Sequence, residues 1–87
     1  MINKEITIVN PMGLHSRPCA MLAKMAKKYD CQVSLSYQEK RADARSMLAL
    51  MKLGVVHGSA ITLQCEGMQE HEASETLGQF LATLVEE

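Results

Sequence analysis

No run of apolar residues in this 87-residue chain approaches the ~20 that a helical membrane span requires, so insertion into a membrane is not expected. The three cysteines, Cys19, Cys31 and Cys65, form no C-x-x-C pair, and Met1 to Pro11 holds no basic segment followed by an apolar one. Neither a disulfide framework, a zinc site nor a secretory leader is expected, and the implied compartment is reducing and cytoplasmic. Asp30 and Asp43 are the only aspartates, and there is no glycine-rich phosphate loop and no Ser-His-Asp set. A nucleotide–magnesium site is thereby excluded, and no cofactor or metal is expected.

The length allows one domain, residues 1–87, because domains commonly run to ~100–150 residues and a second core has no material. With 47% hydrophobic and 22% charged residues the chain is globular rather than disordered. A domain this small cannot spend its core on enclosing a substrate, so any chemistry belongs at the surface.

The formal net charge of -1 conceals an asymmetry. From His15 to Lys52 eight basic residues (Arg17, Lys24, Lys27, Lys28, Lys40, Arg41, Arg45, Lys52) face three acidic ones (Asp30, Glu39, Asp43). From Leu53 to Glu87 there are six acidic residues and no basic one. A basic middle and an acidic tail suit a local anionic ligand or an acidic protein partner better than wholesale nucleic-acid binding. Two solvated helix faces of different composition would leave the same imbalance.

Period-two alternation marks strands at Glu5–Val9, Gln32–Tyr37 and Ile61–Glu66, with a brief strand at Lys40–Asp43 after a turn at Gln38-Glu39. Their outward set, Glu5, Thr7, Gln32, Ser34, Ser36, Thr62, Gln64 and Glu66, is polar throughout. One sheet face should therefore be bare to water, the sheet antiparallel, and every helix on the other side. Helical spacing places Cys19, Leu22, Ala23 and Ala26 on one face of Ser16–Lys28, and Ala73, Leu77, Phe80, Leu81 and Leu84 on one face of Glu70–Val85. A short helix should start at Ser46, a good N-cap, and stop at Gly54, with Met47, Leu50, Met51 and Leu53 between. The order is strand, helix, strand, strand, helix, strand, helix.

The segment that carries chemistry is Asn10-Pro11-Met12-Gly13-Leu14-His15-Ser16-Arg17-Pro18-Cys19. Pro11 and Gly13 make a turn, and Pro18 is tolerated only in a helix's first turn, so His15 lies at a helix N-terminus. The backbone N–H groups of Ser16 and Arg17, the helix dipole and the Arg17 guanidinium then surround whatever stands on or near His15. The positive end of a helix disfavours imidazolium, which leaves a neutral, nucleophilic ring able to take a phosphoryl group. A histidine at a helix start also serves commonly as a capping or surface residue. His57 and His71 carry no such context and read as surface residues, and Cys31 and Cys65 as core.

Gly13-Leu14-His15-Ser16-Arg17-Pro18-Cys19-Ala20 resembles the G-L-H-[AT]-R-P-A signature of HPr, the histidine-containing phosphocarrier family of the bacterial phosphoenolpyruvate:sugar phosphotransferase system. Arg45-Ser46-Met47-Leu48-Ala49-Leu50-Met51-Lys52-Leu53-Gly54 resembles that family's K-S-I-M-x-V-M-x-L-G stretch around a regulatory serine. The resemblance spans essentially the whole chain and implies an α+β open-faced β-sandwich, a four-stranded antiparallel sheet with three helices on one face. It further implies that His15 accepts a phosphoryl group from enzyme I on Nδ1 and passes it to enzyme IIA domains. Arg17 would steady the phosphate, and Ser46 would be phosphorylated wherever an HPr kinase/phosphorylase is present. The chain would be a covalent relay rather than an enzyme, cytoplasmic and monomeric. Three positions depart from the pattern: Ser16 for Ala or Thr, Cys19 for Ala, and Met12 for a residue that is often polar.

A docking face for such partners should be apolar at its centre and charged at its rim. Ala20, Met47, Leu48 and Met51 are the candidates for the centre, and Arg17, Lys24, Lys27 and Lys52 for the rim; pliable Met side chains suit several partners. Met47 and Met51 would otherwise belong to the core. The competing readings are a regulatory relative, serine-phosphorylated or of the nitrogen-related branch, and a binding module without phosphotransfer. A nucleic-acid module is disfavoured because the outward sheet face offers no aromatic residue for base stacking.

Overall fold

Four alternating segments pair into one sheet in the computed structural model, which describes residues 1–85. β1 (Ile2–Thr7), β2 (Cys31–Tyr37), β3 (Lys40–Asp43) and β4 (Ala60–Gly67) lie in the spatial order β1-β4-β2-β3, each neighbouring pair antiparallel. Ile6, Val33, Leu35, Ile61, Leu63 and Cys65 point to the covered face. Over them pack α1 (Ser16–Ala26), α2 (Met47–Met51) and α3 (Glu70–Thr83), with α3 against β1 and β4 and α1 against α2 and α3. Leu22, Leu50, Leu77 and Leu81 are fully buried there, and each stabilises by roughly 1.5–3 kcal/mol. The result is the open-faced β-sandwich that the resemblance implied, with its helices all on the face opposite the polar one, as the alternation predicted.

The first strand begins and ends earlier than its alternation suggested. Ile2, Asn3 and Lys4 pair with Cys65, Gln64 and Leu63, whereas Ile8 has left the ladder and exchanges backbone bonds with Ser59 (2.9 Å) and Gly58 (2.7 Å). Lys4 occupies an inward register position on that strand. Its stem passes Gly78 of α3, whose missing side chain leaves the room, and its ammonium reaches Glu75 Oε1 at 3.1 Å.

The polar face is not uniformly bare. Ser34 is buried because Arg41 Nε donates to its hydroxyl at 3.2 Å while that hydroxyl donates to Gln64 Oε1 at 3.3 Å. α1 ends at Ala26 rather than Lys28, since Lys28 and Tyr29 turn back onto the carbonyls of Met25 and Ala26 in a tightened last turn. α3 ends at Thr83 rather than Val85. Phe80 and Leu84 are half-buried at the margin of the core. All three cysteines are buried with free thiols.

Candidate functional site

The loop between β1 and α1 is held from beneath by Asn10, which is completely buried. Its amide Nδ2 donates to the Gly13 carbonyl at 2.8 Å, and the Gly13 N–H returns to the Asn10 carbonyl at 2.9 Å across Pro11-Met12. Gly13 sits at φ +68°, and a Cβ there would run into the carbonyl oxygen of Val55 and stand 2.8 Å from the Val56 Cα. Only glycine allows that approach, which the Leu14 N–H seals with a 3.1 Å bond to the same Val55 carbonyl. The chain thus enters α1 from a rigid, doubly bonded turn.

His15 is the N-cap of α1, in extended conformation (φ -105°, ψ -158°), and its carbonyl accepts from the Cys19 N–H at 3.1 Å. Its side chain makes no capping bond. Ser16 and Arg17 lie in the first turn, where no helical carbonyl stands behind their N–H groups, and both are exposed. Arg17 enters no ion pair among the described residues, so its guanidinium is available to an anion. Pro18 is buried at the third helical position. Beneath it Cys19 is fully buried, its thiol directed to the Leu14 carbonyl at 3.6 Å and pushed up to about 11 by burial. Cys19 is a packing residue that supports the turn.

Ser46 caps α2 in the usual way, its hydroxyl accepting from the Ala49 N–H at 3.2 Å. Of the five residues of α2 only Leu50 is buried. Met47 (38% exposed), Leu48 (64%) and Met51 (40%) turn outward, so the alternative of core methionines fails here. α1 packs on α2, and Ala20 and Lys24 of α1 and Lys27 just after it are exposed, with Lys52 closing α2. Met21 and Val56 are also exposed. Met21 escaped notice because it lies off the apolar stripe of α1, and Val56 because it stands in a loop.

Arg45 does not belong to the free basic set. Its Nη2 donates to the carbonyls of Tyr29 (3.0 Å) and Cys31 (2.7 Å), tying the start of α2 to the start of β2. An open groove on the sheet side, lined by Gln32, Ser34, Arg41, Asp43 and Arg45, includes neither His15 nor Ser46. His57 and His71 are exposed, as their lack of context suggested, and no cluster fit to hold a metal occurs among the described residues.

A small open sandwich that offers a histidine at a helix start, with an arginine beside it, is the architecture of a histidine phosphocarrier. The family model described as the PTS HPr component phosphorylation site matches residues 2–83. The chain is 42% identical over 84 residues to the phosphocarrier protein HPr of Buchnera aphidicola subsp. Baizongia pistaciae, covering 97% of this chain and 99% of that protein. Its fold is similar to the crystal structure of HPr from Thermoanaerobacter tengcongensis, with TM-score 0.88 at 34% identity over 93% of this chain and 91% of the other. It is also similar to Crh, the Bacillus subtilis catabolite repression protein solved as a domain-swapped dimer, with TM-score 0.78 at 30% identity over 100% of both chains. The chain belongs to the HPr phosphocarrier family. No helix among the described residues is long and apolar enough to cross a membrane.

Proposed function

We propose that His15 accepts a phosphoryl group from phospho-enzyme I and passes it to enzyme IIA domains in sugar uptake. The observation that carries this reading is the placement of His15 as the extended N-cap of α1, beside two first-turn N–H groups and the Arg17 guanidinium, which enters no ion pair among the described residues. An imidazole nitrogen attacks phosphorus as the donor's N–P bond breaks, and the helix start and Arg17 hold the transferred charge. One N–P bond replaces another, so transfer is reversible and needs positioning more than driving force. The chain turns over no substrate of its own and is a relay, not an enzyme.

Ala20, Met47, Leu48 and Met51 form the apolar centre of the docking face, and Arg17, Lys24, Lys27 and Lys52 its rim. The carrier acts in the cytoplasm as a monomer, and donor and acceptor reach the same half-buried His15 in turn. Ser46 is the regulatory site for a kinase/phosphorylase where the organism has one. Phosphate there suits the α2 start and places about two negative charges on the docking face.

Incubation with phosphoenolpyruvate and a bacterial enzyme I, followed by intact mass, tests the reading. One added phosphate is expected, lost in acid and absent from His15→Ala. The likeness to Crh supports a second reading, a regulatory relative without a direct part in transport. Failure to acquire phosphate from cognate enzyme I would move the weight to it.

A further inference from the structure

The sulfur atoms of this chain divide sharply by position. All three thiols are buried, and burial pushes Cys19 and Cys65 up to about 11, so none is a ready thiolate. The thioethers lie differently. Met47 and Met51 stand one helical turn apart on the outward side of α2, flanking Leu48 and following the Ser46 cap. With Leu48 they are the large apolar groups of the docking face proposed above, and a thioether is the one apolar side chain that a mild oxidant converts into a polar one.

We propose that Met47 and Met51 are a reversible oxidation site through which peroxide slows phosphoryl transfer by making the docking face polar. This inference rests on the carrier reading. In each event the sulfur attacks one peroxide oxygen and the O–O bond breaks. Sulfur loses two electrons and keeps that oxygen as the sulfoxide, and the other oxygen leaves as water. The sulfoxide oxygen is a strong acceptor, and a partner whose apolar surface covers it leaves it without a hydrogen bond. A thiol-dependent sulfoxide reductase reverses the change. Met68 supplies an internal control: at 88% exposed it is the more accessible sulfur, yet it sits in the turn between β4 and α3, outside the docking face.

The test treats the whole chain with hydrogen peroxide, locates sulfoxides by peptide mass, and measures the initial rate of phosphate acceptance from phospho-enzyme I before and after. Sulfoxides at Met47 and Met51, alongside the more exposed Met1, Met12, Met21 and Met68, with all thiols still reduced, an acceptance rate about tenfold lower, and recovery on reductase treatment are expected. Met68→Leu should show the same loss on oxidation as the parent, and the double variant Met47→Leu, Met51→Leu should keep its own untreated rate. An unchanged melting transition would tie the loss to the surface. Prior oxidation of the cysteines, melting of the treated protein, or a parental rate with both sulfoxides present would each overturn the inference alone. An untreated chain that takes no phosphate would overturn the carrier reading and this inference with it.

Discussion

The starts of α1 and α2 make an instructive pair. Ser46 and His15 both occupy N-cap positions with nearly equal φ, -108° and -105°. Ser46 spends its hydroxyl on the Ala49 N–H, and α2, five residues long, depends on that bond because so short a helix has little else to hold it. His15 spends no side-chain bond on α1, which is instead held by its buried stripe, Cys19, Leu22, Ala23 and Ala26, and by the Asn10–Gly13 turn in front of it. A cap is needed where packing is thin and can be given up where packing is deep. The residue released from capping is the one proposed above to take the phosphoryl group.

Removing the histidine should show the difference at full size. His15→Ala is expected to lose all phosphate acceptance while keeping a cooperative melt, since the α1 start is closed by backbone bonds at Asn10, Gly13 and Cys19. Residual acid-labile phosphate on that variant would remove His15 from its role. Breaking the support is the next largest effect. Gly13→Ala must push a methyl group into Val55 at positive φ, and a loss of about 2–3 kcal/mol in denaturant unfolding is expected.

At the other cap, Ser46→Ala should cost about 1 kcal/mol with little change in acceptance, because it removes one capping bond and no charge. Ser46→Asp should preserve the cap and slow acceptance without abolishing it; equal rates for that variant and the parent would end the proposed regulatory role. The smallest effect sharpens the contrast in packing. Cys19 and Cys65 titrate near 11 when folded against an ordinary 9.0 in the unfolded chain. Unfolding therefore releases protons between these values, and the melting temperature should fall as pH rises from 9 toward 11. A flat profile through that range would mean that the thiol beneath His15 is open to water.

Much of this was legible in the chain itself. Period-two alternation and helical spacing depend on backbone geometry, which is local, so four strands, three helices and the bare polar face could be read directly. The same holds for the caps, since Ser46 before an apolar run and Pro18 just inside a helix act through their own backbones. The exposed apolar residues of α2 were legible because Met47, Leu48 and Met51 exceed what so short a helix can bury.

Asn10, Lys4 and Arg45 were not legible, each for a non-local reason. Nothing near Asn10 in the chain announces that it is wholly buried, because its burial depends on how the turn meets Val55, some forty-five residues on. Lys4 looks like an exposed charge until Gly78 makes room for its stem and Glu75 receives its ammonium. Arg45 counts toward a basic patch by composition, yet the carbonyls of Tyr29 and Cys31 claim it.

Local pattern along the chain sets the order of elements, the face each helix buries, and the position of one histidine at a helix start. These follow from rules that operate within a few residues. Tertiary structure alone decided which polar side chains would hold the turn, which charges would remain free for a partner, and how rigidly His15 is presented. A side chain's hydrogen bonds depend on which distant backbone groups the fold brings within about 3 Å, and no local pattern contains that distance.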